Sequence, residues 1–123
     1  MSGSSWQLDR EAARDALEML RGAKRVLTPT HQNVDADGLA SAIALRLGLQ
    51  QLGVNLVPMV SDGHRPGSLD FLPGFEEVLV YGQDELPEYD LLCLVDCSDK
   101  RRLGAFYSDD PDRVSGTVPI VNI

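Results

Sequence analysis

Two cysteines in 123 residues, Cys93 and Cys97, are too few to suggest a disulfide framework. Long apolar runs are also missing: none approaches the roughly 18 residues that a membrane span needs. The opening "MSGSSWQLDR" has no basic stretch followed by an apolar core, so no secretory signal is expected and the cytoplasm is the expected compartment. Positive charge is scarce. Eleven Lys and Arg stand against 19 Asp and Glu, for a net charge of -8 and a pI near 4.5. Such a surface repels a phosphate backbone and argues against broad duplex DNA binding. A phosphate substrate remains open, because bound divalent cations invert the local field. Neither a P-loop motif nor a Rossmann glycine turn occurs, which removes support for nucleotide sites of those two kinds. No internal repeat and no low-complexity tract is present.

What is present reads as one globular domain: 43% of the residues are hydrophobic and 24% charged, enough for a real core. From Trp6 to Arg21, Ala12, Ala13, Ala16, Leu17 and Leu20 recur at helical spacing, with Asp9 or Ser5 as N-cap and Gly22 as the stop. "KRVLTPT" predicts a strand. Asp37 to Leu52 predicts a helix with Leu39, Ile43, Leu47 and Leu49 on its apolar side and Gly53 at its C-cap. "VNLVPMV" reads as a strand whose Pro58 points to an edge or a bulge. "SDGHRPGSLDFLPGF" reads as a loop with one short helical turn, and "EVLVYG" as a brief strand. "DLLCLVD" is the unbroken apolar run of a strand buried on both faces. "SDKRRLGAFY" predicts about one helical turn, "SDDPDRVSG" a loop and "VPIVNI" a final strand. Strands alternating with helices predict an α/β fold, a mostly parallel sheet with flanking helices. Residues 1–24 are expected to form a helix packed on the domain, and residues 25–123 an incomplete domain. The last apolar strand runs to Ile123 without turn or cap, where the next functional loop is expected to follow.

The junction between "RVLTPT" and the following helix gathers His31, Asn33, Asp35 and Asp37, with Gly38 easing the turn. Imidazole and carboxylate together suit a Mn²⁺-like divalent ion, and the helix N-terminus also favours anionic groups. "LLCLVD" ends in Asp96, a carboxylate at a second strand's carboxyl end. In a parallel sheet those ends share one edge, so His31, Asp35, Asp37 and Asp96 are expected to converge there. A carboxylate can bridge two ions, the arrangement used for in-line attack on phosphorus. Taken singly, each residue has a plainer reading, as a helix cap or a solvated histidine; taken together, they favour a metal site. An EF-hand fits only the first half of its loop, because the residue where its bidentate Glu would fall is Ala44 and a strand precedes the loop.

"HQNVDADGLAS" resembles the first motif of the DHH phosphoesterases, His-x-Asn-x-Asp-x-Asp followed shortly by Ser, and "LVDCSDKRRLG" resembles the second. "DFLPG" is similar to the oligoribonuclease and pAp-phosphatase branch, and "PIVNI" to the strand before the Asp-His-His motif. The resemblance covers nearly everything from Val26 to Ile123. It implies two Mn²⁺ ions, with His31 and Asp35 on one, Asp37 on the other and Asp96 bridging. Asp37 and Asp96 would thus be catalytic, and Asn33 and Ser41 would brace the turn. Arg102 is either a phosphate-binding residue or a solvated, helix-capping arginine. The implied activity is hydrolysis of short oligoribonucleotides, as an exonuclease, or of 3′,5′-bisphosphorylated nucleosides. A homodimeric parent protein is compatible with this, and no membrane partner is expected. Positions 34, 36, 38 and 40 read Val, Ala, Gly and Ala where that branch more often has Pro, Gly, Ala and Gly, which alters the turn without removing a ligand. The Asp-His-His segment, the fourth motif and the C-terminal substrate domain are not in this chain, so on its own it is expected to be inactive. The alternatives are a manganese-dependent inorganic pyrophosphatase and a non-catalytic α/β binding module.

Other candidates have plainer readings. Cys93 is expected in the core, and Cys97 has no His-Asp partner that would make it a nucleophile. His64 reads as a surface-loop residue. Lys100, Arg101 and Arg102 read as a solvated basic face, and Asp109, Asp110 and Asp112 as turn chemistry.

Overall fold

The computed structural model describes residues 9–32, 36–54, 58–63, 65, 67–95, 97 and 99–123. The first helix, α1 (Arg10–Gly22), starts where the Asp9 carboxylate accepts the N–H groups of Glu11 (3.0 Å) and Ala12 (3.1 Å). That bond pattern satisfies two donors which a helix start otherwise leaves orphaned, and it selects Asp9 over Ser5 as the cap. Trp6 and the rest of the expected first turn lie outside the described residues.

Five strands follow: β1 (Val26–Pro29), β2 (Met59–Asp62), β3 (Leu79–Tyr81), β4 (Leu91–Leu94) and β5 (Ile120–Asn122). They form a single sheet in the order β3-β2-β1-β4-β5, and every pairing is parallel. Helix α2 (Ala36–Gln51) links β1 to β2, and a short helix, α3 (Ala105–Ser108), lies between β4 and β5. The fold is therefore α/β with an all-parallel sheet among the described residues. No helix of the described residues is long and apolar enough to cross a membrane.

Alternation along the strands sorts the core. Val26, Leu91, Cys93 and Val121 face Leu20 of α1 and Leu49 of α2. Leu27, Leu92 and Leu94 face the other way, against Leu103, Phe106 and Val114. Met59 and Val78 pack with Leu39, Ala42 and Ile43 of α2 and with Leu69 and Phe75. Each fully buried leucine of this kind contributes about 1.5–3 kcal/mol relative to exposure.

Three expectations need correction. Leu47 is 46% exposed, whereas Leu39, Ala42, Ile43 and Leu49 are buried. At 3.6 residues per turn Leu47 falls about 40° beyond Ile43, past the edge of the covered arc. Pro58 does not mark an edge strand, because β2 lies between β1 and β3, and residues 55–57 of the expected strand lie outside the described residues. It stands immediately before β2, where its missing N–H breaks no ladder bond, and its carbonyl accepts from Thr28 (2.9 Å). "SDDPDRVSG" is more than a loop: it contains a 3-10 turn, Pro111–Val114, that buries Val114.

Candidate functional site

The chain runs outward from β1 through β2 to β3, then returns to the far side of β1 to lay down β4 and β5. The carboxyl ends of β1 and β4 therefore flank a topological switch point, where open α/β sheets bind their ligands. Pro29 helps to part them. Thr28 and Thr30 donate to Pro58 and Val60 on the β2 side, so alternation turns Leu27 and Pro29 toward β4. Proline has no N–H to offer there. The register between β1 and β4 runs through Val26↔Leu91 and Leu27↔Leu92 and stops, whereas β4 and β5 stay paired through Leu94↔Asn122.

His31 leaves the end of β1 and is only 7% exposed. Its Nδ1–H donates to the Gln32 carbonyl (2.8 Å). A carbonyl only accepts, so Nδ1 carries the proton in this bond. Metal-ligating histidines are fixed in this manner, with the other ring N–H given to a carbonyl or carboxylate. The Gln32 N–H in turn donates to the Arg102 carbonyl (2.5 Å), which joins the segment after β1 to the segment after β4.

Asp37 lies in the first turn of α2, exposed, where a negative charge favours the helix dipole. Ser41, one turn later on the same helix, is half-buried. Asn33, Asp35, Asp96 and His64 lie outside the described residues. Among the described residues no three His, Cys, Asp or Glu side chains gather closely enough to hold a metal, and two of the four expected ligands are not among them. The donors that are described fit a divalent ion in chemistry: an oriented, buried imidazole and a carboxylate on the same edge.

Of the three basic residues in the 3-10 turn Lys100–Leu103, two are engaged. Lys100 donates to the Val114 carbonyl (3.0 Å), and Arg101 pairs with Asp99 (2.8 Å). The Arg101 side chain, followed by its backbone N–H, holds the Asp99 carboxyl down to about 2. The Arg102 guanidinium is exposed and makes no hydrogen bond or ion pair with any described residue, while its backbone is tied to Gln32. Cys93 is fully buried, and burial pushes its thiol up to about 11. Cys97 is also buried and donates to the Asp99 carbonyl (3.3 Å). Cys93, buried and with a raised pKa, lacks the surroundings of a nucleophile. Asp109 accepts from the Tyr81 hydroxyl (2.8 Å), a structural task.

Two residues on this edge are absent from the sequence reading. Asp62 ends β2 and accepts the Ala105 N–H (3.2 Å). Asn122 ends β5 and donates through Nδ2 to the Cys97 carbonyl (3.3 Å). A polar residue closing a strand was the only signal available, and many surface residues share it.

No protein-family model matches this chain, and no curated protein matches it either.

Proposed function

We propose that this chain supplies the first two motifs of a DHH-type two-metal phosphoesterase. Its substrates would be short oligoribonucleotides or 3′,5′-bisphosphorylated nucleosides. The observation that carries the reading is the Gln32 N–H to Arg102 carbonyl bond, which brings the two motif segments together at the switch point between β1 and β4. The buried His31 with its Nδ1–H committed to a carbonyl, and the exposed Arg102 guanidinium with no partner among the described residues, support the same assignment.

In this reading His31, Asp35, Asp37 and Asp96 would hold two divalent ions. When bound, such an ion pair supplies water activation at neutral pH and charge stabilisation for in-line displacement at phosphorus. Arg102 binds a substrate phosphate as a fixed cation, through the planar fork that suits phosphate oxygens. Asn33 and Ser41 would brace the turn that carries the carboxylates.

The test is kinetic, in a protein that also carries an Asp-His-His segment, with a short oligoribonucleotide and a 3′,5′-bisphosphorylated nucleoside as substrates. Asp96→Ala should reduce turnover to background, because it removes stabilisation on the order of several kcal/mol from the transition state. Arg102→Ala should raise KM with kcat nearly unchanged, as expected for a group that binds ground and transition states alike. Turnover that survives Asp96→Ala, or that needs no divalent ion, would sink the proposal. Hydrolysis of pyrophosphate in preference to both substrates would transfer it to the pyrophosphatase class.

A further inference from the structure

The two segments of the candidate site are held by hydrogen bonds that begin outside both of them, at Asp62. This residue stands two positions past Val60, the register partner of Pro29, and His31 stands two positions past Pro29. Both therefore leave the sheet at the same level of its carboxyl edge. The Asp62 carboxylate accepts from Ala105, and it lies so close to Gly104 that a Cβ on that glycine would collide with it. Gly104 itself has φ +65° and ψ -134°, backbone that glycine tolerates and side-chain-bearing residues rarely adopt. Carboxylate and glycine thus fit one another, with Leu103 and Phe106 buried on either side as apolar anchors.

From that clamp the bonds run inward. Gly104 N–H donates to the Arg101 carbonyl (3.3 Å), and the next carbonyl, that of Arg102, receives Gln32 N–H. The Gln32 carbonyl receives His31 Nδ1–H.

We propose that Asp62 and Gly104 are positioning residues for His31. The carboxylate pressed against Gly104 fixes the turn, the turn fixes the Gln32 peptide, and the peptide holds the imidazole in its Nδ1–H form. The use of Nε2 as a metal ligand rests on the phosphoesterase reading; the relay does not.

The chain has two histidines, so a His64→Ala background leaves His31 as the single imidazole in long-range ¹H–¹⁵N correlation spectra. With Asp62 present, His31 shows the pattern of an Nδ1–H ring. Asp62→Ala converts it to a mixture of tautomers while the backbone amide spectrum elsewhere stays native. Asp62→Asn, whose amide oxygen accepts the same bond from Ala105, retains the original pattern. Gly104→Ala behaves like Asp62→Ala; should it fail to fold, the two Asp62 variants decide the matter. An unchanged His31 pattern in a folded Asp62→Ala protein overturns the proposal, as does an Asp62→Asn variant as disruptive as the alanine. Added Mn²⁺ separates the two readings. If His31 responds to Asp62→Ala but its signals are not broadened by the ion, the relay stands and the metal role falls. Where the full ligand set is present, Asp62→Ala should also weaken Mn²⁺ binding roughly 10–100-fold, the usual cost of losing the partner that orients a ligating histidine.

Discussion

Asp90 stands at the entrance to β4, and its two carboxylate oxygens accept the N–H groups of Lys24 and Arg25 at 2.9 Å each. Those bonds, Lys24 first, hold its pKa below the ordinary carboxylate value. A carboxylate whose folded pKa is depressed stabilises fully above its unfolded pKa, near 4, and less as pH falls through the folded value. Asp90→Ala should therefore lower the urea midpoint at pH 7, and the difference from the parent should shrink toward pH 2. An equal difference at both pH values would mean that the charge is irrelevant. Thr28 presents the opposite case. It is fully buried in β1, and its hydroxyl has no hydrogen-bond partner among the described residues. Valine has nearly its shape without the orphaned group, so Thr28→Val should stabilise the fold by about 1–3 kcal/mol in equilibrium unfolding. Neither effect is legible in the sequence, where Thr28 is simply a good strand residue and Asp90 a polar one before a strand. Asp62 escapes for the same reason: what it touches is decided by sheet register and by a turn far along the chain.

Elements were more legible than their edges. Apolar periodicity and caps located α1, α2 and all five strands, because local propensity and burial agree there. The misreadings fall where a neighbour decides. Leu47 counts as apolar in any helical pattern, yet only the arc that other elements cover becomes core. Leu39→Ala should cost about 2–5 kcal/mol, the range for a leucine removed from a packed interior, whereas Leu47→Ala should change stability by less than about 0.5 kcal/mol. Thermal or urea unfolding of the two variants side by side checks this, and similar losses would place Leu47 under cover that the fold does not show. Proline signals an edge only where its missing N–H would break a ladder bond, and Pro58 stands just before β2 with its carbonyl still bonded to Thr28.

At the scale of the whole molecule, the alternation of strands and helices predicted the fold class, and the strand order then supplied what no local pattern contains: which two strand ends adjoin. His31, Asp37 and Arg102 stand out in the sequence as candidates, because a divalent-ion or phosphate site would need such side chains near strand ends. The bond that joins their segments does not, since it runs between two backbone groups that every residue has. The same order has a consequence for the growing chain. β1, β2 and β3 are all synthesised before β4, so the first half of the sheet must emerge with one flank of β1 bare. Bare flanks recruit strands from other chains, and proline is one of the residues that discourages such pairing. Pro29 sits on that flank with no hydrogen to give. The residue at which the ladder between β1 and β4 ends can thus first act as a guard, protecting a nascent chain from its neighbours until its own fourth strand arrives.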